Sequence, residues 1–101
     1  MNIGDILCSK QSYGMTIVTF YKVIGVTPSG KSVKLKKLKN KVVSDDGYGQ
    51  EGYVVPSDVE GDKVLVKRLG KTSSGDDYVK ISDYEYAYHW NGENQYFTFL
   101  D

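Results

Sequence analysis

The sequence predicts an all-β chain: a small SH3-like β-barrel or sandwich of five to seven strands with a C-terminal hairpin. Three observations carry this. Runs rich in Val, Ile, Thr, Tyr and Phe recur along the chain, and no segment shows sustained helical periodicity. Turn-forming clusters separate the runs, among them Thr27-Pro28-Ser29-Gly30, Asp45-Asp46-Gly47 and Asn91-Gly92. With 101 residues, the chain has the length of a single domain, 1–101, with a modest core.

The elements follow in order. Ile3–Ser9 reads as a first strand and Lys10–Gly14 as a loop. Met15–Val26 is dominated by β-branched and aromatic residues. Val18, Phe20 and Ile24 share one face, while Ile17, Tyr21 and Val23 share the other. A strand apolar on both faces is expected at the centre of a sheet or with a bulge. Pro28 and Gly30 set a turn, and Lys31–Lys39 returns as a half-buried strand in which Val33 and Leu35 alternate with Lys34 and Lys36. Residues 15–39 therefore form a hairpin.

Ser44–Tyr53 reads as a Gly-rich acidic loop. Gly52–Val55 is a short strand ended by Pro56, and Ser57–Gly61 is turn-like. Asp62–Leu69 alternates again. Gly70–Asp77 is a polar turn, and Tyr78–Trp90 carries Tyr84, Tyr86, Tyr88 and Trp90 on one parity. Asn91-Gly92 suits a type I′ turn, which needs positive φ at both positions, and Gln95–Leu100 is the strand expected to return from it.

The net charge is zero but unevenly laid out. Residues 1–41 hold eight lysines and one acid, a net of +7; residues 42–101 hold five basic and twelve acidic side chains, a net of −7. Such asymmetry points either to a charged partner or to halves that pair across one sheet. The second reading is preferred. One cysteine excludes an internal disulfide. Residues 1–10 lack the basic start and apolar run of a signal peptide, so the chain is expected in the cytosol.

Catalytic chemistry finds little to build on, and the chain is expected to be no enzyme and to use no cofactor. Cys8 and His89 are the only soft metal ligands, too few for a zinc site, so no metal is expected. Nucleophilic catalysis would rest on a Cys8–His89 pair without an evident orienting group. Gly70-Lys71-Thr72 imitates the end of a phosphate loop, but Leu65 stands where its first glycine belongs.

Three constellations could bind a partner. Lys34 and Lys36 share a strand face within a lysine-rich stretch that either tracks phosphates or guards a sheet edge. The stripe Tyr84, Tyr86, Tyr88 and Trp90 offers rings for stacking on bases or for a protein contact, or else packs beneath the C-terminal hairpin. The loop Ser44–Tyr53 carries Tyr48 as an exposed anchor. Tyr13 and Tyr21 are added as aromatic binding candidates.

The two ends of the chain carry a resemblance. Gly4-Asp5-Ile6, then Ser12-Tyr13-Gly14-Met15-Thr16 and Phe20-Tyr21-Lys22-Val23, resemble the opening of a group of small phage, prophage and plasmid proteins. Val79-Lys80-Ile81-Ser82 and Tyr84-Glu85-Tyr86-Ala87-Tyr88-His89-Trp90-Asn91-Gly92 resemble its close. This chain departs from the group's pattern in the Ser12–Thr16 turn, where the usual polar residues are replaced, and at Asn91, where the group has Asp.

The resemblance implies a non-enzymatic mobile-element protein in the host bacterial cytosol, an inhibitor of a defence system. Its partner would be a host defence protein complex, met by acidic residues that mimic phosphates, or a signalling nucleotide held between tyrosines and lysines, with a homo-oligomer possible. The alternative is a small nucleic-acid-binding barrel in which Lys31–Lys41 and Tyr84–Trp90 form one surface.

Overall fold

The structure is a computed structural model that describes residues 1–12, 14–48 and 50–98. Seven strands form one antiparallel sheet: β1 (Ile6–Ser12), β2 (Thr16–Val26), β3 (Ser32–Asp45), β4 (Glu51–Lys71), β5 (Asp77–Ser82), β6 (Glu85–His89) and β7 (Gln95–Thr98). The described residues contain no helix, so the all-β expectation holds. Strands β1 to β6 pair in sequence order, and β6 comes back to β1 through Leu7↔His89, Cys8↔Tyr88 and Ser9↔Ala87. The hydrogen bonding therefore closes into a ring.

The two apolar faces of β2 each found a core. Inside the ring, Tyr21 and Val23 pack with Leu7, Val33, Leu35, Val79, Ile81 and Ala87. On the outer face, Val18 and Phe20 pack with Leu38 and Val54, covered by Trp90 and Phe97. β2 lies between β1 and β3 and also bulges between Val23 and Gly25. The hairpin over residues 15–39 forms as read, closed by the Thr27 amide bonding to the Ser32 carbonyl at 3.0 Å.

Four local readings are corrected. First, Pro56 does not end a strand and Ser57–Gly61 is not a turn, because β4 runs unbroken from Glu51 to Lys71. Pro56 faces Asn40 between two register shifts, and extra residues on β4 bend the strand there instead of ending it. The Asn40 side-chain amide donates to the Val18 carbonyl at 2.8 Å, tying this bend back to β2.

Second, the two ends of the loop Ser44–Tyr53 are strand, Ser44 and Asp45 in β3 and Glu51–Tyr53 in β4. Only the tip between β3 and β4 turns, with the Asp45 carboxylate accepting from the Gly47 amide at 2.8 Å and that of Asp46 from the Tyr48 amide at 2.9 Å. Third, Tyr78–Trp90 is two strands: Asp83 and Tyr84 form the turn of a β5–β6 hairpin.

Fourth, Asn91-Gly92 is not a type I′ turn, since Gly92 has φ 83° but Asn91 does not have positive φ, and the strand β7 that follows pairs with the start of β4. Both edges of β6 are already occupied by β1 and β5, so β7 takes the next open edge. The end of the read strand, Phe99 and Leu100, lies outside the described residues.

The charged halves meet only in part. Lys22 pairs with Glu60 at 3.7 Å, and the N-terminal amine with Asp77 at 3.4 Å. Lys34 and Lys36 face Val66 and Val64 across the β3–β4 pairing instead of acids.

One polar cluster lies against the inner core. The hydroxyls of buried Ser9 and Tyr21 both donate to the Glu85 carboxylate, Tyr21 at 2.8 Å. Burial first, and then the Glu85 carboxylate, push the Tyr21 hydroxyl well above the usual tyrosine range. Its contribution to stability is therefore complete below pH ~10, where tyrosine in an unfolded chain ionises, and is lost as pH rises toward the higher folded value. Tyr21→Phe is expected to cost about 1–2 kcal/mol at pH 8 and to shrink the alkaline loss, as urea unfolding at pH 8 and pH 11 would record.

Candidate functional site

The inward turn of Ala87 onto the core fixes the parity of β6, so Tyr86 and Tyr88 point outward with Tyr84 and Trp90 flanking them. The stripe read from the sequence is thus a surface. Tyr86 is 40% and Tyr88 47% exposed, and Tyr84, in the turn, is 79% exposed. Tyr78 joins from β5, its ring 5.9 Å from that of Tyr86 and 6.0 Å from that of Tyr88. It finds room because Gly70 lies opposite: a β-carbon there would approach the Tyr78 ring to 2.5 Å.

A cleft of about 370 Å³ opens beside this face. Tyr84, Tyr86, Tyr88 and Trp90 line it with Cys8 and Lys10 of β1, and His89, Asn91 and Gln95 complete it. The wall formed by residues 90–95 is braced internally. The Trp90 indole N–H donates to the Glu93 carbonyl at 2.7 Å, and the Gln95 amide donates to the same carbonyl at 3.0 Å and to Asn91 Oδ1 at 3.1 Å. Trp90 stands edge-on to the buried Phe20, with centroids 5.9 Å apart, which anchors the wall in the outer core.

The cleft therefore presents tyrosine rings, a fixed wall and the Lys10 ammonium. Such a surface can stack a planar ring and neutralise an anion attached to it. Cys8 and His89 both line the cleft, but Cys8 shares the strand face of Tyr88 and His89 pairs with Leu7, on the opposite parity. Burial pushes the Cys8 thiol above its usual value, with Lys10 acting weakly in the opposite sense, so the thiol is held protonated near neutrality. Among the described residues no group of three or more His, Cys, Asp or Glu could hold a metal ion.

The other sequence candidates lie elsewhere. Tyr21 is a correction: it is 4% exposed and belongs to the inner core, because it shares the face of Val23. Tyr13 lies outside the described residues. Tyr48 is at the β3–β4 tip, 85% exposed and apart from the cleft lining. Asp45 and Asp46 turn their carboxylates onto the amides of that tip, which hold Asp46 below the usual carboxylate range.

Lys34 and Lys36 do not join the tyrosines. β3 and β6 are separated by three steps in either direction around the ring, so the expected single surface of lysines and aromatics is not formed. Sequence reading missed Lys10, Tyr78 and Gln95. The strand period could have given Lys10, which shares its parity with Cys8 on β1. The pairing of Tyr78 with Tyr88 needed the register.

No protein family, curated protein or solved structure compared with the chain matches it.

Proposed function

We propose that this chain is a non-enzymatic binding protein that captures a small planar anion of the nucleotide class in the Tyr86/Tyr88/Trp90 cleft. The observation that carries the reading is the exposure of tyrosine rings on one sheet face next to Lys10, in a cleft with a braced wall. A base stacked on such a ring gains about 1–3 kcal/mol, and a phosphate on Lys10 adds a charge-assisted hydrogen bond. The resemblance at the two ends of the chain supplies the setting: a mobile-element protein that withholds a signalling nucleotide from a bacterial defence system in the host cytosol.

A second reading rests on Tyr84, whose ring stands clear at the rim. Tyrosine and tryptophan on an exposed face are also the anchors of protein contacts, so the same face would serve inhibition by docking on a defence protein.

Native mass spectrometry of the chain purified gently from bacterial cells, with its absorbance ratio at 260 and 280 nm, separates the two. The capture reading expects a nucleotide-sized adduct that disappears in Tyr86→Ala/Tyr88→Ala. An adduct-free protein that retains a host protein through the same tyrosines would replace it with the second reading.

A further inference from the structure

A second surface lies on β4. Along one side β4 pairs with β3, from Ser32↔Arg68 to Asp45↔Gly52. Along the other it pairs only at its ends, Glu51–Val54 with β7 and Leu69–Lys71 with β5. Between these, residues 55–68 have no strand on their second side among the described residues. Part of this gap is bulged, but Val64–Arg68 keeps regular register with Ser32–Lys36. Leu65 turns toward the inner core, while Val64 and Val66 are 45% and 57% exposed.

From Lys63 to Arg68 the edge carries cations and no acid, and Asp62 bounds it on the N-terminal side. Lys34 and Lys36 stand beside the two valines on β3, and Lys63, Lys67 and Arg68 flank them along β4. None of the five pairs with an acid within 4 Å among the described residues. An open strand edge offers backbone N–H and C=O groups to an incoming strand. Val64, Val66 and Arg68 share one face of the edge with Lys34 and Lys36 of β3, and Leu65 lies on the other, which sets which side chains that strand should carry. A nucleic-acid backbone would use the cations but neither the valines nor the open edge.

We propose that the edge of β4 at Lys63–Arg68 takes up an extended acidic segment of a partner protein as an added antiparallel or parallel strand. Its acidic side chains lie on the face that Val64, Val66 and Arg68 share with Lys34 and Lys36, and its apolar ones on the opposite face beside Leu65. The surface is separate from the aromatic cleft and does not depend on what the cleft binds.

The test uses the full ¹⁵N-labelled chain and a blocked ten-residue peptide of alternating Val and Glu. The proposal expects saturable binding that weakens with salt, slowed amide exchange confined to residues 63–68, and unmoved Trp90 indole resonances. Lys34→Glu/Lys36→Glu should weaken the peptide about tenfold, as should Val66→Glu, each with its melting transition unchanged. No slowing at 63–68 on saturation would overturn the proposal. So would concentration-dependent protection there without peptide, which marks a second copy as the occupant, or tighter binding of a single-stranded thymidine oligomer at the same residues.

Discussion

Gly52→Ala is expected to destabilise the chain by about 3 kcal/mol or more. A β-carbon at position 52 would lie 2.1 Å from the Ser44 carbonyl oxygen and 2.8 Å from the Asp45 α-carbon. Both are backbone atoms of β3, so no side chain can swing away to make room. The contact sits at the register shift between Val42 and Ser44, where β3 and β4 press together. Moving them apart would disturb Val54, two residues on and 2% exposed, and the pairing of Gly52 with Phe97. Val54 belongs to the outer core with Phe20, and Phe97 covers it. Urea unfolding at neutral pH should show the loss as a lower midpoint. Gly61→Ala, whose β-carbon would meet the Lys37 carbonyl at an ordinary 3.4 Å, should stay within about 0.5 kcal/mol of the parent.

Tyr86→Ala and Tyr88→Ala are expected to weaken ligand capture by roughly 5- to 150-fold each, the range set by about 1–3 kcal/mol per stacked base. Their rings are outward and half-exposed, so the fold should survive the loss better than it survives a core truncation. Tyr→Phe at either position keeps the stacking face and should retain most of the affinity. Lys10→Ala should weaken an anionic ligand while sparing its uncharged nucleoside. Lys34→Glu/Lys36→Glu should leave capture unchanged, because β3 lies across the ring from β6. Isothermal titration of each variant with the ligand identified by mass spectrometry would record these values.

What could be read from the sequence was what short-range periodicity encodes. The two apolar faces of β2 and the alternation of Val33 and Leu35 with lysines were visible as patterns of period two and reappear as the two cores. The shared parity of Tyr84, Tyr86, Tyr88 and Trp90 was visible for the same reason, but whether that face was open or covered by the C-terminal hairpin was not. Tyr21 was misassigned as a binding residue because both faces of β2 are apolar, and parity with Val23 does not say which face turns inward.

What was missed depends on partners distant in the chain. Pro56 and the acidic residues after it have the local chemistry of a turn, yet β3 holds them alongside as a bulged strand. Asn91-Gly92 lacks the positive φ at Asn91 of a type I′ hairpin, and β7 joins the start of β4 because β1 and β5 already occupy both edges of β6. The separation of the lysine row from the tyrosines likewise required the strand order around the ring.

The central claim, that the aromatic cleft is the binding site, is tested most directly by following the Trp90 indole N–H and the tyrosine ring resonances by NMR during titration with nucleoside mono-, di- and cyclic phosphates. Capture in the cleft predicts saturable shifts at Trp90, Tyr86, Tyr88 and Lys10, with the β3 lysines unmoved. Resonances of the cleft that stay in place while a ligand binds, or shifts centred on Lys34 and Lys36, would contradict it.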